Sequence, residues 1–188
     1  MTTYFTSDTH FGHDRDFIYK PRGFNFIEEH DSEIIKRWNS IVAQDDVVYH
    51  LGDIMLGQDC NYGINCVRQL NGTIHIIRGN HDTNHRWNEY LKLWPQVILH
   101  GWSEVIKIDG YKLYLCHFKT ETSSIENMAP LKKHLIDLHG HTHSNQKFES
   151  DNPFQYNVAL DAHDCFPVSF GEMIYDIEEK IKECLSFL

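Results

Sequence analysis

Cysteine is present here without any of the patterns that give it a structural job. The five residues Cys60, Cys66, Cys116, Cys165 and Cys184 are odd in number, widely spaced and form no C-x-x-C pair. A disulfide framework or a thiolate zinc site is therefore not expected, and a reducing cytoplasm fits best. No segment reaches the ~18 uninterrupted apolar residues of a membrane helix. The start runs from Met1 straight into Tyr4 and Phe5, without the basic and apolar stretches of a secretory signal. Positive charge is outnumbered, with 17 Lys and Arg against 27 Asp and Glu for a net charge of −10. Such a balance argues against an extended nucleic-acid surface, which needs cations to replace phosphate counterions. No repeat, linker or low-complexity tract interrupts the chain. With 188 residues, 41% of them apolar, a single domain over 1–188 is expected.

What the chain does have is histidine, 14 in all. Imidazole is the commonest protein metal ligand and a frequent acid–base group, so their placement matters. Hydrophobic spacing predicts strands over 3–6, 46–51, 73–77, 135–138 and 156–160, and a hairpin of 104–108 and 111–116 across Asp109-Gly110. Helices are expected over 27–42, 60–70, 84–93, 127–134 and 169–185. Five of the strands run into a small polar cluster: Asp8 and His10, Asp53, Asn80 and His81, His117, and His141 and His143. In open α/β sheets ligands collect at the carboxyl ends of strands, so these clusters are expected to converge.

Alone, each cluster has an ordinary reading as a turn, a helix cap or a polar strand end. Together, Asp8-x-His10, Gly52-Asp53, Gly79-Asn80-His81-Asp82, His117 and Gly140-His141-x-His143 follow the ordered signature that the calcineurin-like metallophosphoesterases carry, and the sequence resembles that family over about residues 4–143. The segments Asn157 to Asp161 and Pro167-Val168-Ser169 also look like its small bacterial and phage members. The resemblance implies a four-layer α-β-β-α sandwich of two mixed sheets flanked by helices. It also implies two divalent ions, the first held by Asp8, His10, Asp53 and His143, the second by Asp53, Asn80, His117 and His141. Two such cations repel and need a shared anion between them, the place the resemblance gives to Asp53. A nitrogen and oxygen donor set without thiolate suits Mn²⁺, Fe²⁺, Zn²⁺ or Ni²⁺.

The implied chemistry is attack of a metal-bridging hydroxide on a phosphate ester. His81 resembles the family's histidine that serves the leaving oxygen. Asp82 either orients that imidazole or caps the following helix. Arg78, His13 and Arg15 are candidate substrate contacts, and Arg15, Lys20 and Arg22 form a basic run suited to an anionic group. The other histidines, among them His30, His50, His139 and His163, read as structural. A small phosphate ester, nucleotide-like among the options, is the expected substrate, with a phosphodiesterase favoured over a phosphomonoesterase and a homodimer left open. Two rivals remain: a non-catalytic metal-binding scaffold, and an amidohydrolase, whose H-x-H pair comes early in a much longer barrel.

Overall fold

The computed structural model describes residues 1–124 and 129–186. Among the described residues, nine strands form two sheets. The first has the order β4-β3-β2-β1-β9, from Val97–Leu99, Thr73–Ile76, Val47–His50, Thr3–Thr6 and Val168–Ser169. Its first four strands are parallel, and β9 runs antiparallel to β1. The second has the order β5-β6-β7-β8, from Ser103–Ile108, Tyr111–Cys116, Leu135–His139 and Gln155–Asn157. Here β5 and β6 make the antiparallel hairpin, and β6, β7 and β8 are parallel. Asp109 and Gly110 both take positive φ, as a two-residue hairpin turn requires.

Strand alternation sorts the core into two layers. Val48, Ile74 and Ile76 point to one face of the first sheet. There they meet α2 (Ile27–Ile41), α3 (Cys60–Val67) and α4 (Asn84–Tyr90), whose Ile34, Trp38, Ile64 and Tyr90 are buried. Phe5, Leu51 and Ile77 face Leu113, Leu115, Ile136 and Leu138 of the second sheet. The last helix, α5 (Phe170–Ser186), adds Met173, Ile174 and Ile177 to that shared core. Its start is a capping box: Ser169 Oγ accepts from Glu172 N, and the Glu172 carboxylate accepts from Ser169 N. The molecule is thus mixed α/β, two sheets flanked by helices.

Some elements differ from expectation. The short α1 (Asp16–Tyr19), β4 and β9 have four, three and two residues, too few to show a period. The strand expected over 156–160 ends at Asn157, and Leu160–Ala162 winds into a 3₁₀ turn. Of the helix expected over 127–134, residues 127 and 128 lie outside the described residues, and the described part holds only the 3₁₀ turn Leu131–Lys133. The five polar clusters come from both sheets: β1, β2 and β3 deliver three, and β6 and β7 deliver two. No helix among the described residues is long and apolar enough to cross a membrane.

Asp137 on β7 is fully buried; one carboxyl oxygen accepts from Thr120 N at 2.8 Å and the other has no partner among the described residues. Burial pushes this carboxyl up to about 7, against the opposing Thr120 bond and the field of Lys119. A raised carboxyl pKa means that the folded state holds a proton the unfolded chain has lost, so stability falls as pH rises from about 4 to about 7. Asp137→Asn should flatten that slope, worth at most ~1.4 kcal/mol per pH unit, and raise stability above wild type at pH ~8. Denaturant melts across this range check it; an unchanged slope would show that the group does not titrate there.

Candidate metal centre

Backbone hydrogen bonds stitch the carboxyl ends of the strands together. Asp8 N donates to Gly52 O and His10 N to Asp53 O, both at 3.1 Å, and Gly140 N donates to His117 O at 3.1 Å. Clearance is so small that two glycines are obligatory. A Cβ on Gly79 would lie 2.2 Å from Asp53 Oδ1, and one on Gly140 would lie 2.3 Å from Asp8 Oδ2. The candidate ligands themselves are bent into the left-handed region: φ is 60° at Asp8, 52° at His10, 59° at Asp53, 70° at His141 and 52° at His143. For residues bearing a Cβ this costs roughly 1–2 kcal/mol each. Such strain concentrates where a site is over-determined by its surroundings.

These bends bring donor atoms together in two overlapping groups. Asp8, His10 and His143 form one; Asp8, Asp53 and His117 form the other, with the ligand atoms of each group within 4.8 Å of one another. Asp8 is the carboxylate common to both groups, where the resemblance points to Asp53. Around them, His10 Nε2 lies 3.2 Å from His143 Nε2, and His117 Nε2 lies 3.2 Å from His141 Nδ1 and 2.8 Å from Asn80 Oδ1. All seven residues nominated as ligands from the sequence are in this cluster.

The protonation pattern tests whether cations fit. His117 Nδ1 donates to Leu51 O at 2.7 Å and His143 Nδ1 donates to Asp161 Oδ2 at 3.1 Å, so each neutral ring aims the lone pair of Nε2 inward. There those lone pairs meet other acceptors, and Asp8 Oδ1 is buried with no hydrogen-bond partner among the described residues. Burial would lift the Asp8 carboxyl, yet the His10 imidazole 3.6 Å away and the fields of His117 and His143 hold it far below the carboxylate range. Burial likewise opposes charge on His117, but Asp53 and Asp8 outweigh it and push the imidazole up to about 9. A space that retains a proton so strongly is one that attracts a cation. The donor set, carboxylates, imidazoles and one amide oxygen, fits divalent metal ions.

The family match decides the lineage: residues 1–158 match the model of the calcineurin-like phosphoesterase superfamily domain. The chain belongs to that superfamily. It is 31% identical to an uncharacterized protein of Methanocaldococcus jannaschii over 94% of this chain and 91% of that one. It is also 30% identical to the Gene 66 protein of Mycobacterium phage D29, over 94% and 97%. Its fold is similar to the crystal structure of a protein of unknown function from Aquifex aeolicus, with a TM-score of 0.69 at 23% identity over 93% and 98% of the two chains.

The residues expected beside the ligands divide. His81 stands at the rim, its side chain 44% exposed and its Nε2 3.9 Å from Asp53 Oδ2, while its backbone N–H donates to Asp53 Oδ1 at 2.8 Å. His13 is half-buried with its ring 5.4 Å from that of His10. Burial and the neighbouring histidines pull it down to about 4, which keeps it neutral near pH ~7. Asp82 neither orients His81 nor caps a helix. Its carboxylate is buried and accepts from Asp53 N at 2.9 Å, Gly79 N at 2.8 Å and Tyr90 Oη at 2.8 Å, clamping two ligand loops together. Thr83 is the cap of α4.

Arg78 is also a correction. Its guanidinium donates to Asp82 O and Asn84 Oδ1 and lies over the rings of Trp87 and Trp102, so it braces the loop rather than offering itself to a phosphate. Arg15 stays exposed, its guanidinium donating to the neighbouring Asp14 carbonyl. The basic run does not act as a unit, since Lys20 pairs with Asp16 and Arg22 is buried.

Arg22 and Asp161 carry roles that the sequence reading missed. The Arg22 side chain is 2% exposed; it grips Asp161 with two bonds of 2.9 and 2.7 Å, donates to the Asp8 carbonyl at 2.8 Å, and reaches His30 Nε2 at 2.9 Å. Because guanidinium only donates, His30 must accept there and donate from Nδ1 to Asp31 at 2.7 Å; Asp31 in turn accepts from Gly12 N. This buried chain fixes His143 through Asp161. The only sequence signal was the family-like segment ending at Asp161.

Asp161→Asn should lower divalent-cation affinity about 10- to 100-fold by loosening the orientation of His143. Calorimetry on stripped and reloaded protein measures this, and unchanged affinity would reduce Asp161 to packing. Arg22→Leu leaves Asp161 buried without its partner and should cost about 3–5 kcal/mol in chemical denaturation.

Proposed function

We propose that this chain is a phosphodiesterase working through two divalent cations, one that Asp8, His10, Asp53 and His143 would hold and one that Asp53, Asn80, His117 and His141 would hold. The observation that carries the reading is the pair of overlapping donor groups joined at Asp8. Asp8 and Asp53 are the anions that would hold the two charges side by side, and Mn²⁺, Fe²⁺, Zn²⁺ or Ni²⁺ match the donor types. When bound, such cations supply Lewis acidity, activating water for attack and offsetting charge on the phosphoryl oxygens.

The chain's own residues do the rest. Asp161 and Arg22 keep His143 in one tautomer, and the Leu51 carbonyl does the same for His117. Asp82 sets the spacing of the Asp53 and Asn80 loops. His81 is pinned by its backbone on Asp53 while its ring stands at the rim, its Nε2 3.9 Å from Asp53 Oδ2 and its edge towards His10 at 5.9 Å. From there it donates a hydrogen bond or a proton to the departing oxygen.

The exposed rim at His81 and His141 leaves room for a second ester substituent, which favours a diester.

Metal-stripped protein should be inert towards bis(4-nitrophenyl) phosphate and recover with Mn²⁺, binding two ions per chain. His81→Ala should lower kcat about 100- to 10,000-fold with little change in metal content. A stoichiometry of one ion, or faster turnover of 4-nitrophenyl phosphate than of the diester, would contradict the corresponding part of the proposal.

A further inference from the structure

Phenylalanine in a watery setting beside a polar centre is unusual enough to need a reason, and here it occurs twice. Phe118 follows His117 at the end of β6 and is 40% exposed; its ring centroid is 4.9 Å from His141 and 5.1 Å from His117. Phe17 on α1 is 68% exposed, with its centroid 5.6 Å from His13, which in turn lies 5.4 Å from His10. Phe118 therefore meets the His117 and His141 half of the ligand cluster edge-on, and Phe17 lies one ring away from the other half, edge-on to His13, which is tilted against His10. Single exposed apolar side chains are ordinary on protein surfaces. A pair attached through aromatic contacts to the two halves of one site is not a scatter.

Neither ring is explained by the core, since both lie outside the two buried clusters. Neither is explained by the phosphate chemistry, which is served by imidazole, carboxylate and amide groups. A ring held at the edge of a phosphoryl site has one evident use, which is to offer its face to a flat substituent carried on the phosphorus.

We infer that Phe17 and Phe118 are stacking surfaces that select phosphate esters with aromatic substituents, aryl or nucleobase, one ring beside each half of the centre. This rests on the reading of the cluster as a phosphoester site, and it narrows the substrate class from diesters in general to those bearing flat rings. Phe118 adjoins His141 and His117; Phe17 reaches the site through His13, whose ring presents a third flat surface next to His10. The two rings act on affinity and not on the reacting atoms, so they are specificity residues.

Phenylphosphonate and methylphosphonate share a phosphoryl group, resist hydrolysis through their P–C bonds, and differ in the ring. In calorimetric titration the Mn²⁺-loaded wild type should bind the phenyl compound about 5- to 50-fold more tightly. Phe17→Leu combined with Phe118→Leu should bring that preference below about twofold, and Phe118→Tyr should preserve it. Because both side chains are exposed, melting curves of the variants should match wild type. Equal binding of both phosphonates by wild type overturns the inference, whatever the protein hydrolyses. A ring preference without turnover of any ester supports the stacking surfaces and overturns the hydrolase reading alone. Among turned-over substrates, a lower KM for thymidine 5′-(4-nitrophenyl phosphate) than for bis(4-nitrophenyl) phosphate assigns the rings to nucleobases; the reverse assigns them to simple aryl groups.

Discussion

Everything in this molecule is arranged around an electrostatic demand: two fully buried carboxylates and several imidazole lone pairs share one small space. Asp8 and Asp53 are each about 1% exposed or less, and Asp8 keeps an oxygen with no partner among the described residues. Burying such charge is costly unless a compensating charge sits with it. In the bare protein protons meet the demand in part, which is why His117 is held up to about 9. The sharing of Asp8 between two donor groups places the demand at two adjacent points.

The fold meets that demand with geometry that no single element would tolerate. Parallel strands end together, so β1, β2 and β3 present their following loops on one edge, and β6 and β7 do so from the facing sheet. The loops are then forced close enough that Gly79 and Gly140 have no room for a methyl group. Five candidate ligands adopt left-handed backbone, against the local preference of residues with side chains. Strain of this kind persists only when the surroundings dictate it, and here they include the Asp82 clamp between the Asp53 and Gly79 amides.

The pattern of legibility follows from distance along the chain. The candidate ligands were readable because the clusters that follow the strands, in order, make up the signature of the family that the sequence resembles. Hydrophobic periodicity made the mixed α/β character readable, and the two-sheet layering came from the same resemblance. Arg22 and Asp161 were not, because their partnership spans 139 positions and each looks like an ordinary loop residue. Asp82 sits beside His81 in sequence, which suggested a joint role; the backbone turn sends its carboxylate inward to Gly79 and His81 outward to the rim. Arg78 was misjudged similarly, since nothing local reveals that Trp87 and Trp102 flank it.

The two halves of the centre are supported in different ways. His117 is oriented by the main-chain carbonyl of Leu51, a contact that survives almost any substitution at position 51. His143 depends on a side-chain carboxylate, Asp161, which depends in turn on Arg22. The match to the superfamily ends at residue 158, so Asp161 lies beyond it, in the stretch that turns through Leu160–Ala162 into β9 and α5. That stretch is tied back to the first strand by Leu160 N on Ser7 O and by the pairing of β9 with β1. Loss of docking by the terminal segment would therefore loosen His143 while leaving His117 in place. The first donor group is thus tied to the chain's C-terminal region through a side-chain relay on His143 that His117 does not need.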